Sequence, residues 1–332
     1  MPKRSPLPED TKLDWPALVG DIGGTNARFA LIESPGAAPS RIISLKNADH
    51  SGFSAVLAAY LDQVGIGRVT RAALAVAGPI DGDIFRFSNI AWEFSRADLA
   101  RERGIAALHL INDFEALALS VPRLRDDEFL KIGGGHPAEA APIAVIGPGT
   151  GLGVAGLLKL ADGWRAIPTE GGHSDFATVT DLEIELLRHL RPMFGGEVSA
   201  ENVLCGDGIA TIHNALAVIH GSAAPRLTTA EIIARGTCDT VDESCTRTLS
   251  LYCELLGGFV GNVALTAGAR GGVVLGGGIL PRIPQYLTAG GFRRRFEAKG
   301  QMSPYVAAIP TRLILPGDAA LRGAAASLEK TD

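Results

Sequence analysis

Continuous apolar runs alternate along this chain with breaks rich in glycine. Residues 17–19 and 27–32 are apolar and flank Gly20-Asp21-Ile22-Gly23-Gly24-Thr25-Asn26. Residues 143–146 and 154–158 flank Gly147-Pro148-Gly149-Thr150-Gly151-Leu152-Gly153 in the same way. Each reads as strand, turn with few Cβ atoms, strand. Short apolar runs at 42–45, 71–77, 106–111, 271–275 and 313–315 predict further strands. Phe53, Val56, Leu57, Tyr60, Leu61 and Val64 recur at helical spacing and predict a helix over Phe53–Val64. A second helix is expected over 115–120, ending before Pro122, and an alanine-rich one over 318–328. The first part therefore runs βββαβαβα, the order of a mixed sheet covered by helices.

After Pro122 the plan restarts with the second hairpin, followed by a helix-rich region at 180–269. This predicts an α/β protein of two halves with related topology. The expected domains are a loose tail at 1–16, a small α/β domain at 17–122 plus 313–332, and a large one at 123–312. The final helix would return to the first half.

Composition narrows the function classes. The chain has 332 residues, 46% hydrophobic and 20% charged, which is typical of a soluble globular protein. A net charge of −5 without a basic stripe argues against nucleic acid as a partner, and 6% aromatics leaves few stacking platforms. Residues 1–16 are polar and proline-rich, with no apolar core of a secretory signal. The uncharged stretch 143–158 holds five glycines and a proline, so it reads as strands around a turn and not as a membrane span. Cys205, Cys238, Cys245 and Cys253 lack CxxC spacing, which suggests reduced thiols in a cytoplasmic protein.

The chemistry lies in the breaks. A turn without Cβ atoms lets backbone N–H groups approach an anion, and two such turns suggest a polyphosphate held from both sides. A nucleotide is the leading ligand. No lysine follows either turn, so neither is a Walker A loop. Gly151, Gly153 and Gly156 match G-x-G-x-x-G, but a strand and the Asp162-Gly163 turn follow where a dinucleotide fold requires a helix. Asp21, at a strand end, could hold Mg²⁺ beside the phosphates or simply form its turn. Asn112-Asp113 could place a base and a sugar-binding amide, or start the helix that follows. Glu170-Gly171-Gly172-His173 mixes acceptors and donors as a polyol requires. Asn89, near Trp92 and Phe94, could face a sugar or be a loop residue. Ser199 reads as an N-cap with Asn202 at the third helical position, and Glu201 between them suits a helix first turn or a ligand. Gly276-Gly277-Gly278 could admit an adenine or ribose, or make a tight turn.

Taken in order, these motifs resemble bacterial glucokinases of the hexokinase type, in the superfamily of actin, sugar kinases and heat-shock ATPases. The matching pieces are Asp21 to Asn26, Ser88-Asn89, Asn112-Asp113-Phe114, Gly147 to Gly153, Glu170 to Phe176 and Gly276 to Ile279, spread over residues 17–325. The resemblance implies two ribonuclease-H-like α/β domains with a ligand cleft between them, and ATP-dependent phosphorylation of D-glucose at O6. It makes Asp113 the base and gives Asn112, Glu170, His173 and Glu201 to the sugar. The turns Asp21-Ile22-Gly23-Gly24-Thr25-Asn26 and Gly149-Thr150-Gly151, with Gly276-Gly277-Gly278, go to ATP, and Asp21 to Mg²⁺. The related sugar kinases and repressors hold zinc on a histidine of this kind with a cysteine cluster. No such cluster follows His173, so zinc is not expected, and the short tail does not supply the repressors' DNA-binding helix pair. A homodimer is the expected assembly. The alternatives are a kinase for another hexose or phosphoryl donor, and a non-catalytic nucleotide switch, which would need the hairpins without Glu170, His173 or Asn112-Asp113.

Overall fold

The structure, a computed structural model, describes residues 15–78, 80–87, 90–222, 226–240 and 242–329. The chain divides into two compact units, one formed by Met1–Leu124 with Pro316–Asp332, the other by Arg125–Leu315.

The first unit holds β1 (Ala17–Ile22), β2 (Asn26–Ile32), β3 (Ser40–Lys46), α1 (Phe53–Val64), β4 (Arg71–Val76), the small hairpin β5 (Ile84–Arg86) and β6 (Glu93–Ser95), α2 (Arg96–Arg103), β7 (Ala107–Asn112) and α3 (Asp113–Ser120). A C-terminal helix, Ala319–Leu328, completes it. The main sheet is ordered β3-β2-β1-β4-β7; β1 is antiparallel to β2 and parallel to β4, which is parallel to β7. Alternate residues of its central strands face opposite layers, so β1 and β4 are apolar on both sides. Leu18, Phe29, Leu31 and Leu74 meet Phe53, Val56, Leu57 and Tyr60 of α1, while Val19, Ala30, Ala73 and Ala75 meet Leu321, Ala324 and Leu328. The C-terminal helix also lies against α3 with no side chain between them at Gly323, where a Cβ would collide with the carbonyl of Ala116.

The second unit holds β8 (Phe129–Gly133), β9 (Ile143–Pro148), β10 (Leu152–Leu160), β11 (Gly163–Thr169), α4 (Asp181–Leu190), α5 (Ala200–Leu204), α6 (Gly206–Ile219), α7 (Thr229–Thr237), α8 (Glu243–Thr266), β12 (Gly272–Leu275), α9 (Pro284–Thr288), α10 (Gly291–Glu297), α11 (Ser303–Ala307) and β13 (Thr311–Ile314). Its sheet runs β11-β10-β9-β12-β13-β8 and repeats the plan of the first, with antiparallel hairpins followed by parallel strands. Ala144, Ile146, Val154, Val273 and Leu275 share one core with Leu249, Tyr252, Leu256 and Val260 of α8. Among the described residues α8 alone is long and apolar enough to cross a membrane, and 72% of that stretch is buried inside the unit.

Besides the hairpin at 84–95 and the helices over 284–307, which the sequence reading does not include, two strands differ from it. The strand at 311–314 pairs with β12 and with β8, so it belongs to the second unit, and the chain returns to the first unit only after it. The strand β8 was not anticipated at all. It lies at the sheet edge and its burial does not alternate, so it lacks a period-two signature.

Gly323→Val tests the helix contact. Its side chain must push the two helices apart, which should lower stability by about 1–3 kcal/mol. A urea denaturation midpoint equal to wild type would show that this crossing tolerates a side chain.

Candidate active site

In the first unit β1, β4 and β7 stand in register, with Ile22 beside Val76 and Val76 beside Asn112. Their carboxyl ends put Asp21 and Asp113 on one sheet edge, two strands apart, about 10 Å at usual strand spacing. Ligands of open α/β sheets bind at such edges. Asn112 is the N-cap of α3, its Oδ1 accepting from the N–H groups of Phe114 (2.9 Å) and Glu115 (3.2 Å). The capping reading therefore holds for Asn112, and its side-chain NH₂ is the group left to offer a hydroxyl. Asp113 is the first helical residue, and its Oδ1 accepts from the N–H of Phe114 at 2.9 Å. The positive end of the helix favours a carboxylate there.

The first glycine turn joins β1 to β2, closed by the Gly23 N–H on the Asn26 carbonyl at 3.0 Å. Asn47 fixes it from behind. Its Nδ2 donates to the Gly23 carbonyl at 2.8 Å, and its backbone N–H donates to the Thr25 carbonyl at 2.9 Å. Asn47 is 5% exposed, and its Oδ1 is buried without a hydrogen-bond partner among the described residues. With these carbonyls held, the amides of Gly24 and Thr25 have no acceptor among the described residues. Consecutive free N–H groups of this kind form an anion-binding concavity. Sequence reasoning missed Asn47, because nothing local to it announces a partner 24 positions earlier.

Asp21 lies opposite Arg28 in the β1–β2 pair, and the Arg28 guanidinium also donates to the Gly317 carbonyl. Burial pushes the Asp21 carboxyl above its ordinary range, and Arg28 pulls it back only in part. A recessed carboxylate whose charge is penalised suits a divalent cation, because the cation's charge would offset that penalty.

The second glycine turn, between β9 and β10, is held in three places. The Gly149 N–H donates to the Gly151 carbonyl (2.8 Å), the Gly149 carbonyl accepts from the N–H of Gly206 (2.8 Å), and the Leu152 N–H donates to Glu201 Oε2 (2.7 Å). The amides of Thr150 and Gly151 have no acceptor among the described residues, matching the first turn. The glycines here do different jobs. Gly149 and Gly278 have open space where a Cβ would stand, which a ligand could fill. A Cβ on Gly147 would strike the Gly276 carbonyl, and one on Gly277 would strike the Pro148 carbonyl, so these two join the ends of β9 and β12.

The segment Glu170-Gly171-Gly172-His173 follows β11 and forms a single 3₁₀ turn. His173 Nε2 lies 3.9 Å from Glu170 Oε2 and 3.8 Å from Glu201 Oε1. Glu201 stands in the first turn of α5, which Ser199 and Asn202 start with reciprocal capping bonds, as their spacing predicts. The Glu170 side chain is 73% exposed, whereas that of Glu201 is 28% exposed. The second unit thus brings Glu170, His173 and Glu201 together beside the second turn. Asn89 and Ser88 lie outside the described residues. The described residues contain no group of three His, Cys, Asp or Glu side chains able to hold a metal ion.

A sheet of this order built twice, each copy with a glycine turn presenting free amides, defines the ribonuclease-H-like class shared by actin-like ATPases and sugar kinases. Comparison with known proteins narrows the class. The Glucokinase family profile matches residues 18–331. A glucokinase of Chromobacterium violaceum is 47% identical over 95% of this chain and 89% of its own. The crystal structure of a glucokinase from an Antarctic psychrotroph superposes with a TM-score of 0.82 at 39% identity, covering 95% of this chain and 99% of that one. A ROK-family glucokinase from Streptomyces griseus, solved with glucose and AMPPNP, shares the fold at 17% identity (TM-score 0.64, 94% and 98% coverage). The chain belongs to the glucokinase family.

Two substitutions probe the first turn. Because the Asp21 carboxyl is raised in the folded chain, the unfolded chain ionises first, near pH 4. Above that pH the folded state binds more protons, so stability falls as pH rises until Asp21 ionises in the fold as well. Asp21→Asn should therefore raise the ligand-free melting temperature at pH 7 while weakening Mg-ATP binding, and its stabilising effect should vanish below about pH 4. Melting curves from pH 3.5 to 7.5 decide this; a destabilised Asn variant at pH 7 contradicts it. Asn47→Ala should raise the KM for ATP by about tenfold, the order lost with one buried hydrogen bond, and move the glucose KM far less. An equal rise in both would rule out a role confined to this turn.

Proposed function

We propose that this chain transfers the γ-phosphoryl group of ATP to O6 of D-glucose, giving glucose 6-phosphate and ADP. The single observation that carries the reading is the pair of glycine turns with two successive free amides each, in a chain whose family is glucokinase. The relatives are named for glucose, and one distant neighbour was solved with glucose and an ATP analogue, which supports the same substrates here.

In this reading the amides of Gly24, Thr25, Thr150 and Gly151 take phosphate oxygens. Gly149 and Gly276 to Gly278 give room to the rest of the nucleotide. Asp21 would hold the magnesium that accompanies ATP, which neutralises phosphate charge when bound. Asp113 accepts the O6 proton as that oxygen attacks phosphorus, and the bond from phosphorus to the bridging oxygen of ADP breaks. Its position at the start of α3 sets the carboxylate against the positive end of the helix. Asn112 offers its NH₂ to a neighbouring hydroxyl, and Glu170, His173 and Glu201 bind the other hydroxyls. Phosphoryl transfer asks mainly for positioning and charge neutralisation, and this set supplies both. Asn89 joins the sugar set on its place in the sequence near Trp92 and Phe94. The four cysteines are all free thiols, which suits the cytoplasm. A homodimer is the assembly we infer.

Asp113→Asn tests the reading. The amide keeps the shape and loses the basic lone pair, so kcat with glucose and ATP should fall by at least about 100-fold while glucose binding by calorimetry persists. A coupled assay over a panel of hexoses and phosphoryl donors accompanies it. Turnover near wild type in the variant would remove Asp113 from the chemistry, and a better substrate than glucose in the panel would correct the sugar.

A further inference from the structure

We propose that the Cα face of Gly151 and the Leu152 amide form the seat of Glu201, so that the second glycine turn serves the sugar as well as the nucleotide. This rests on the reading of Glu201 as a glucose ligand. Three observations carry it. First, the Leu152 N–H donates to Glu201 Oε2 at 2.7 Å, a charge-assisted bond that fixes one carboxylate oxygen and leaves Oε1 facing His173 at 3.8 Å. Second, a Cβ on Gly151 would collide with that same Oε2 and stand 3.2 Å from the carboxylate carbon. The missing side chain at 151 is therefore occupied by a carboxylate. Gly149, two residues earlier, has nothing within 4 Å on that side.

Third, the loop that carries Glu170 and His173 rests on the same residue. A Cβ on Gly172 would collide with the Leu152 carbonyl. The loop is also joined to the start of α5, because Ala200 N–H donates to the Ser174 carbonyl (2.7 Å) and Phe176 N–H to the Val198 carbonyl (2.9 Å). Leu152 thus touches Glu201 through its N–H and the Glu170–His173 loop through its carbonyl. Gly151, Leu152 and Gly172 are positioning residues for the sugar carboxylates.

The test is a substitution in the glycine turn read on the sugar. Gly151→Ala should raise the KM for glucose at least about tenfold, the order lost when a charge-assisted bond is displaced, and change the KM for ATP by a smaller factor, since the Gly151 N–H is kept and the added Cβ meets Glu201. The double variant Gly151→Ala with Glu201→Asp, whose side chain is one methylene shorter, should be less impaired than the product of the two single effects. A raised ATP KM with an unchanged glucose KM in Gly151→Ala overturns the inference. Glu201→Gln is the control for the underlying reading: if it leaves the glucose KM at wild type, Glu201 is not a sugar ligand. If Glu201→Gln raises the glucose KM and Gly151→Ala does not, Glu201 keeps its role and the seat is wrong. Should Gly151→Ala fail to fold, the Leu152 amide resonance of ¹⁵N-leucine-labelled protein decides. It should move upfield in Glu201→Gln as the charge-assisted bond weakens, and shift when glucose is added to the wild type. An amide that responds to neither overturns the proposal.

Discussion

A carbonyl pressed against a bare Cα fixes α3, the Glu170–His173 loop and the ends of β9 and β12, on which much of the proposed chemistry depends. Ala116 of α3 meets Gly323 of the C-terminal helix, Leu152 meets Gly172, Gly276 meets Gly147, and Pro148 meets Gly277. In each pair a methyl group would occupy the space of a peptide oxygen. Such contacts bring two backbones closer than any pair of side chains allows, and they leave no rotamer to adjust. The direction of α3, and with it Asn112 and Asp113, is set in this way. So is the height of the Glu170–His173 loop over the second turn. Five of the ten residues at 319–328 are alanine and one is glycine, small side chains that suit a helix brought this near.

Electrostatics adds a cost that this packing has to carry. Asp21 is recessed where burial works against its charge, with only Arg28 beside it as partial compensation. Asn47 keeps an amide oxygen buried without a partner among the described residues while its other groups hold the first turn. Both are unfavourable for folding alone, on the order of 1–3 kcal/mol for an unmatched polar atom. Each is tied to the same turn, where free amides stand ready for an anion. Locally unfavourable arrangements that the surroundings enforce are common at working sites, because a ligand then removes the penalty on binding.

What the sequence disclosed follows from the range of the interactions concerned. The helix Phe53–Val64 was legible to the residue, because its apolar spacing and Gly65 at its end are local signals. Both glycine turns, the Ser199 cap and the Asn112 cap were legible for the same reason. The strand at Phe129–Gly133 was not, since an edge strand of five residues carries no clear alternation. The placement of β13 depends on which sheet it joins, which no local pattern encodes. Asn47 acts on a turn 24 residues away and Glu201 on one 49 residues away, so both partnerships arise only from the fold. Glu201 was recognisable as an acid at a helix start, but its seat was not.

The glycine content of the second turn therefore has three separate physical causes. Gly149 is bare toward open space, where any substituent would compete with a ligand. Gly151 is bare toward a carboxylate, and Gly147 toward the neighbouring strand end. A sequence motif merges these demands into one run of small residues, because each asks only for the absence of a Cβ. The fold separates them by the direction in which that absent atom would point. Across the three-residue loop Gly149-Thr150-Gly151 the chain reverses, and Gly149 and Gly151 meet different surroundings. One short turn can then present free amides on one side and seat the carboxylate of Glu201 on the other.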